Sequence, residues 1–392
     1  MVVIILPVLP LLIASSDAHT AKQERAEIRR PIIFEGKSAD EWIDLLRNGD
    51  SDGRQRAALA LGGRSMATNA VVQELCRAMR DKDVFVAQNA MIALERLGPS
   101  AADALPALIK ALNEGDKYTR ANVSSIIGGL GPAAAKAAPT LINALKDDSE
   151  YVRSNAAVAL RNIGLRTPAI TEPLAEALGD KSHLVGCSAA LALWKLTGSK
   201  AGLPVLQATL RNGSGLALVT AADALGEMGR EAKQAAPTLR RALQAHMEDA
   251  LALDLAMALW KTNQDPVAVT ALGKMLDNYK LGSIAADNLA AIGPAAKATT
   301  PALRRAMNSD DEPLAANAAR ALWIVDKQEA ALSRLYKLLQ QGNSKTRADC
   351  CMYLAEAGPS PRTVSALRKA LRDTYELVRG RARWGLKRLG AD

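Results

Sequence analysis

Residues 131–164 read GPAAAKAAPTLINALKDDSEYVRSNAAVALRNIG and contain the patterns of two short helices separated by a polar turn. Pro139 suits the first turn of a helix, where its missing N–H is not needed, and the apolar residues from Leu141 onward share one face. Residues 147–149 interrupt this pattern and offer oxygens that can cap a second helix, which continues to Gly164. Neither helix can bury its apolar stripe alone, so we expect this unit to stack on neighbouring copies.

The same frame recurs along the chain with a nearly constant period. We define the register position as the place of Leu160 in the second helix. Its equivalents follow one another at spacings of 33, 33, 33, 33, 32, 34, 30, 33, 32 and 32 residues and are Leu61, Leu94, Ile127, Leu160, Leu193, Leu225, Leu259, Leu289, Leu322, Leu354 and Leu386. About eleven copies at this spacing are typical of a helical-repeat solenoid.

The link before the first helix of a copy also repeats. A glycine and a proline stand eight residues apart in four copies, at Gly98 and Pro106, Gly131 and Pro139, Gly229 and Pro237, and Gly293 and Pro301. The repeat therefore includes its connection as well as its two helices.

One segment of the repeat is specific enough to suggest a family. Residues 145–153 (LKDDSEYVR) and 371–379 (LRDTYELVR) each end eleven residues before a glycine that follows Leu or Ile. These residues resemble the HEAT repeats, and within them the bacterial HEAT-like class that is also found in phycobilisome lyases. The resemblance covers roughly residues 38–390 and implies an all-α fold, a right-handed α-solenoid of about eleven helix pairs. Such a fold is most often a protein-binding surface and does not by itself imply catalysis.

The first residues differ from the repeats. Residues 2–13 are apolar apart from two prolines, and the small and polar residues that follow would allow cleavage after Ser16 or Ala18. We therefore predict a signal peptide over residues 1–18 and export to the periplasm or the exterior. The apolar run is too short to span a bilayer, so no stable membrane span is expected. No Lys or Arg precedes the run, and the chain would be cytoplasmic if the run has no targeting role.

The remaining chain is expected to form one domain. Residues 19–37 are polar and predict a flexible leader, and residues 38–392 predict a single solenoid, which grows by adding repeats and needs no second core. Ser38 and Glu41 have the spacing of a capping box at the start of the first helix. Four cysteines fall within predicted helices and are expected to be free, buried thiols: Cys76, Cys187, Cys350 and Cys351.

The sequence lacks the motifs of common enzymes. It contains no His-Glu-x-x-His, no glycine-rich phosphate loop, no Gly-x-Ser-x-Gly, and no Cys/His pairing at metal-ligand spacing. We therefore expect no catalytic residues, no cofactor, no metal and no small-molecule substrate.

Arginines at one place of the repeat suggest a structural role. Arg153 and Arg379 follow a valine near the start of the second helix, and Arg120 holds the corresponding place. By resemblance to HEAT-like proteins, Arg120 and Arg153 are expected to form hydrogen-bond ladders with aspartates of other repeats. The alternative is an anion-binding row, which would need guanidinium groups that are free of carboxylates.

Two further features are candidates for partner binding. The first is a tryptophan series directly after the register position, in which large and small residues alternate: Trp194, Gly226, Trp260, Ala290, Trp323 and Ala355. This alternation suits packing between repeats, and the rival interpretation is an aromatic stripe that recognises a peptide or a glycan. The second is an excess of basic residues.

The net charge is +9, and residues 360–392 hold nine basic residues against three acidic ones. Arg379, Arg383 and Lys387 recur every four residues, with Arg381 and Arg388 beside them, which predicts a basic stripe on one helix. The stripe is either a solvated cap or a binding site for an acidic partner, an anionic polymer or nucleic acid.

Three functions follow from these features. The first is a non-catalytic, exported scaffold that binds a protein partner through the curved inner face of its second helices. The second is a bilin lyase or related HEAT-like enzyme, and the third is a basic solenoid that binds nucleic acid or another polyanion.

Overall fold

The computed structural model describes residues 37–63 and 66–391, and within these residues the regular structure is helical, with no strand. The predicted all-α solenoid of eleven helix pairs is therefore confirmed. The predicted signal peptide, and all of the predicted leader except Lys37, lie outside the described residues. We call the first helix of each pair the A helix and the second the B helix.

The A helices are α1 Ala39–Asn48, α3 Asn69–Ala78, α5 Leu105–Glu114, α7 Ala138–Ala144, α9 Pro168–Glu176, α11 Leu203–Asn212, α13 Ala236–Ala245, α15 Pro266–Met275, α17 Thr300–Met307, α19 Glu329–Gln341 and α21 Pro361–Ala370. The B helices are α2 Ser51–Leu61, α4 Val84–Leu97, α6 Lys117–Gly129, α8 Glu150–Ile163, α10 His183–Thr197, α12 Gly215–Met228, α14 Leu251–Asn263, α16 Gly282–Ile292, α18 Glu312–Asp326, α20 Ser344–Ala357 and α22 Glu376–Arg388.

The chain divides into two compact units, the first ending at Leu206 and the second beginning at Gln207. The first unit contains the pairs α1/α2 to α9/α10, and the second contains α12 and the pairs α13/α14 to α21/α22. That residues 38–392 form one domain stays a prediction.

The repeated links fold as 3₁₀ turns that lead directly into the next A helix. They span Gly98–Ala104, Gly131–Ala137, Gly229–Ala235 and Gly293–Thr299. Each begins with a glycine whose φ lies between 52° and 75°, a left-handed conformation that strains other residues. In each case a proline occupies the first turn of the A helix that follows, where no N–H is required.

Helix capping agrees with the sequence at one place and differs at another. The Ser38 hydroxyl accepts from the Glu41 N–H while the Glu41 carboxylate accepts from the Ser38 N–H, so the predicted capping box is present. Before α8, Ser149 is the N-cap residue, but its side chain makes no capping bond. Asp147 instead accepts from the Ser149 N–H at 2.9 Å and is oriented toward the preceding pair.

The core follows the register position. All eleven register residues are at most 4% exposed. Neighbouring B helices approach closely beside them, because a Cβ at Gly62 would lie 2.8 Å from the Ala93 Cα and one at Gly128 would lie 3.0 Å from the Ala159 Cα. The abundant small residues therefore allow the backbones of successive B helices to come into contact.

No described helix combines the length and the apolar character needed to cross a membrane. None of the four cysteines forms a disulfide. Cys187, Cys350 and Cys351 are buried as expected, whereas Cys76 is only half-buried.

Truncating a register residue should destabilise the first unit far more than truncating an exposed leucine. We expect Leu160→Ala to lower the free energy of unfolding by about 3 kcal/mol, because it leaves a cavity where α8 contacts its neighbours. Leu165→Ala, which changes the same side chain at an exposed site, should cost well under 1 kcal/mol. Urea unfolding followed by circular dichroism measures both, and equal losses would contradict the assigned register.

Candidate functional site

Arginine–aspartate pairs, here called rungs, connect successive helix pairs. In each rung, the Nε and Nη2 groups of an arginine near the start of a B helix donate to the two carboxylate oxygens of an aspartate in the A–B turn of the next pair. The donor–acceptor distances are 2.7–3.0 Å, and the four rungs are Arg54–Asp81, Arg120–Asp147, Arg153–Asp180 and Arg347–Asp373. This is where the structure places Arg120 and Arg153, with their guanidinium groups engaged by carboxylates.

The remaining nitrogen of each guanidinium, Nη1, donates to backbone carbonyls of the arginine's own helix pair. Nη1 of Arg120 donates to the Gly115 carbonyl at 2.9 Å, and Nη1 of Arg153 donates to the Asp147 and Asp148 carbonyls. These bonds fix the direction in which Nε and Nη2 point. A rung is therefore a pre-oriented carboxylate site that the next pair fills.

The rung aspartates are held in the ionised form. Each accepts a backbone N–H from the residue two positions later, at 2.7–2.9 Å. Burial opposes ionisation of Asp180, but hydrogen bonds from Arg153 and from the Ser182 N–H outweigh it, so the pKa of Asp180 is lowered. Arg153 is only 5% exposed and needs this partner.

The basic residues predicted near the C-terminus lie along two sides of α22, with Arg379, Arg383 and Lys387 on one side and Arg381 and Arg388 on another. Arg381, Arg383, Lys387 and Arg388 are exposed, and we call this set the basic face of α22. Arg379 is half-buried at the start of the same helix, in the position of the rung arginines. Exposed Leu377 and Trp384 share the helix face of Arg381 and Arg388, and the Arg388 guanidinium lies 5.4 Å from the centre of the Trp384 ring.

The three candidate tryptophans lie on α10, α14 and α18 and are half-buried. The Lys195 ammonium lies 4.9 Å over the Trp194 ring, and that of Lys327 lies 5.0 Å over the Trp323 ring. The nearest atoms to a Cβ at Gly226 would belong to Ala258 and Lys261 of the following pair. The structure places Trp194, Trp260 and Trp323 in alternate pairs, each one separated from the next by a whole repeat.

A different aromatic series, which sequence analysis missed, is exposed in the first unit. Phe85, Tyr118 and Tyr151 are each the second residue of a B helix and are 58%, 43% and 37% exposed. They stand 33 residues apart and nine residues before the register position. We call these three residues the aromatic row, and the repeat period is the signal that could have revealed it.

A cavity of about 760 Å³ adjoins two members of the aromatic row. Its lining includes Tyr118, Tyr151, Asn122 and Gln88, together with the rung residues Arg120 and Arg153. Asn155 donates from its amide to the Ala121 carbonyl at 2.8 Å, which fixes α8 against α6 beside the cavity. The site offers aromatic faces and polar groups on B helices that are held in place by rungs.

The B helices of the second unit carry partly buried carboxylates, in contrast to the exposed aromatic row of the first unit. Burial, together with the charges of Asp254 and Glu227, raises the pKa of Asp223 to about 6. Burial also raises the pKa values of Asp254, Asp287 and Asp349. No group of side chains that could hold a metal ion occurs in the part of the chain that the structure describes.

Comparison with known proteins gives a family and several similar folds. A family model for HEAT repeats matches residues 39–121, 105–194, 138–218 and 299–387. No curated protein matches the sequence. One similar structure is the complex of CpcE and CpcF of phycocyanin lyase from Nostoc sp. PCC7120, with 23% identity and a TM-score of 0.41 over 57% of this chain and 94% of that chain.

Two further structures are similar to the chain. A mutant of Kap121p has 14% identity and a TM-score of 0.44 over 89% of this chain and 45% of that chain. An engineered protein has 21% identity and a TM-score of 0.34 over 90% of this chain and 98% of that chain.

Removing one rung carboxylate should destabilise the first unit in a pH-dependent way. We expect Asp180→Asn to lower the free energy of unfolding at pH 7 by about 2 kcal/mol, because it leaves the buried Arg153 without its counter-ion. The matched control is Asp148→Asn, which makes the same change at an exposed position in the turn before α8 and should have little effect on the free energy of unfolding. Because the pKa of Asp180 is lowered, its contribution is present above the unfolded pKa of about 3.9 and is lost as the pH falls through the folded value. Urea titrations between pH 7 and pH 3 test this, and a difference that grows on acidification would contradict it.

Removing the Asp223 charge should have the opposite effect. Its pKa is raised, so folding is favoured when Asp223 is protonated and is opposed as the pH rises through about 6. We expect Asp223→Asn to raise the melting temperature by a few degrees at pH 7.5 and to change it little at pH 4, measured by differential scanning calorimetry. Asp310→Asn, at an exposed site, is the control. A lower melting temperature at pH 7.5 would show that the Asp223 carboxylate is stabilised by a partner.

Proposed function

This chain belongs to the HEAT-repeat family, and we propose that it is a non-catalytic scaffold that binds a protein partner through the surface of its B helices. The observation that supports this proposal best is the aromatic row of Phe85, Tyr118 and Tyr151 beside a cavity in the first unit.

The aromatic row has the properties of a contact surface. Tyrosine and phenylalanine offer large, rigid contact areas, and tyrosine adds a hydroxyl that can bond to a polar group. Their exposure does not stabilise the solenoid, because the register residues already fill the core. Three rings at one-repeat intervals would contact an extended or helical segment at several points, which suits a macromolecular partner.

The cavity offers charged and polar groups that a protein partner can contact. Arg120 and Arg153 at its wall are engaged by Asp147 and Asp180, so their charges are already balanced. The cavity lining includes no histidine or cysteine. Its other charged groups are the carboxylates Asp148 and Glu150 and the ammonium groups of Lys117 and Lys181, and Glu150 accepts a hydrogen bond from the Ser182 hydroxyl.

The basic face of α22 favours a second candidate function, the binding of an anionic partner. Its four exposed cations lie on the second unit, away in sequence from the aromatic row. The two candidate functions are separable by substitution, because they use different helices.

A photo-crosslinking amino acid at position 118 tests the main proposal. Placed there, it should capture one predominant protein, whereas the same amino acid at Tyr279, an exposed tyrosine of the second unit, should not capture that protein. The purified partner should bind the double variant Tyr118→Ala and Tyr151→Ala at least tenfold more weakly than the wild type, because interface tyrosines are frequent hot spots.

Tyr279→Ala should leave that affinity unchanged. Equal affinity of the double variant and the wild type would remove the aromatic row from the interface. Covalent attachment of a bilin to an acceptor protein by the purified chain would contradict the non-catalytic part of the proposal and favour the lyase alternative.

A further inference from the structure

Asparagines tie successive B helices together from the place five residues before the register position. Three of them donate from the side-chain amide to the backbone carbonyl 34 residues earlier, at 2.8–3.3 Å, and these are Asn89, Asn155 and Asn317. Asn122 holds the same place in α6, but its side chain makes no hydrogen bond within residues 37–63 and 66–391. Its amide is therefore left available to another molecule.

The Asn122 amide does not reach the carbonyl 34 residues earlier, which belongs to Gln88. A narrow crevice lies between α4 and α6 at this point, and Asn122 borders it together with Met91 and Ile92 of α4. The two helices are therefore not closed against each other beside Asn122. The Gln88 side chain also makes no hydrogen bond to a described residue, and both amides line the cavity beside the aromatic row. The cavity wall thus carries two unpaired amides, each of which is a donor and an acceptor.

The two tyrosines of the cavity are one repeat apart, on neighbouring B helices. Packed helices lie about 8–10 Å apart, so Tyr118 and Tyr151 are attached at this spacing. A polyproline II helix advances about 9 Å in one turn of three residues, and side chains three residues apart point the same way. In a β-strand the side chains of one face recur about every 6.6 Å, which does not match this spacing. A segment in the polyproline II conformation therefore places every third residue against a tyrosine ring.

The free amides also distinguish between kinds of segment. A polyproline II helix has no internal hydrogen bonds, so its carbonyls and remaining N–H groups can bond to Gln88 and Asn122. An α-helix repeats one face about every 10.5 Å, close to the spacing of the tyrosines, but its backbone groups are bonded within the helix. It would leave both amides without a backbone partner.

The charges around the cavity select no strongly charged ligand. Arg120 and Arg153 are balanced by the aspartates of their rungs. The remaining charged groups are two cations and two carboxylates: Lys117, Lys181, Asp148 and Glu150. The Lys117 ammonium lies 5.1 Å from the centre of the Tyr118 ring, and this lysine is exposed, so an occupant can displace it. An uncharged segment that packs against aromatic rings suits this wall better than a polyanion or a basic segment.

We propose that the cavity binds a proline-rich segment of the partner protein in the polyproline II conformation. Prolines three residues apart pack against Tyr118 and Tyr151, while the backbone between them bonds to Gln88 and Asn122. Such a segment is extended before it binds and loses little conformational freedom. The proposal rests on the proposed function, because it specifies which kind of partner segment the aromatic row contacts.

The test measures fluorescence anisotropy with the full chain and three labelled peptides. The first is an uncharged peptide of nine residues with proline at every third position, separated by glutamine and alanine. The second has the same composition, with its three prolines at alternate positions. The third is an alanine-rich helical peptide that presents leucines seven residues apart. The wild-type chain should bind the first peptide about fivefold more tightly than the other two, because only its prolines match the tyrosine spacing while its backbone is free.

Asparagine substitutions separate binding from stability. Asn122→Ala should weaken binding of the first peptide by about tenfold and leave the melting temperature near that of the wild type, because the amide makes no bond within the described fold. Asn155→Ala should lower the melting temperature, because it removes the bond to the Ala121 carbonyl. Asn143→Ala, at an exposed site on α7, is the control and should change neither quantity.

Equal affinity for the first and second peptides, or unchanged affinity in Asn122→Ala, would overturn the assignment to a proline-rich segment. Tighter binding of the third peptide would overturn it in favour of a helical segment. In these cases the protein captured at position 118 would still depend on Tyr118 and Tyr151, and the proposed function would stand. Loss of that dependence would remove the proposed function and this inference together.

Discussion

The burial of the register residues between neighbouring helices is the constraint on which the rest of the structure depends. A helix pair of about thirty-three residues has two faces that must be covered by its neighbours, since it cannot enclose a core of its own. Where the approach is closest the facing residues are small, as at Gly62 with Ala93 and at Gly128 with Ala159, whereas the same place after the register position holds Trp194 in α10. The aromatic row lies elsewhere on the B helices, nine residues before the register position, where its rings are exposed.

The rungs add a polar condition to this apolar contact. A buried guanidinium such as that of Arg153 is strongly unfavourable without a carboxylate, whereas a position that lacks both partners can be filled by apolar residues. The chain uses both solutions, because Gly186 and Leu218 take the arginine position in α10 and α12. The rungs therefore fix the position of each helix pair against the next, and this effect is larger than their net contribution to the free energy of unfolding. This placement fixes α6 and α8 beside the cavity of the first unit.

Sequence alone predicted the elements that depend on periodicity. The register residues, the glycine-to-proline links and the capping box of Ser38 follow from local patterns that tertiary structure reinforces. The cap expected before α8 was wrong in detail, because Asp147 is drawn to Arg120, and that contact lies 27 residues away in sequence. The aromatic row was missed for a different reason. The tryptophans attracted attention because they are large and rare. Whether an aromatic side chain is exposed depends on which face of its helix the neighbouring repeats leave uncovered, and local sequence does not give this.

Some residues of both units are exposed or buried against the usual preference of their residue types. In α10 the position of the aromatic row is taken by Leu184, which is buried, so the repeat does not require an exposed ring there. Phe85, Tyr118 and Tyr151 keep apolar surface in water, and Asp223 keeps a carboxylate in a setting that disfavours its charge. Neither arrangement stabilises the fold. Since a repeat protein can tolerate many substitutions at open positions, the three exposed rings are the surface that the proposed protein contact would use.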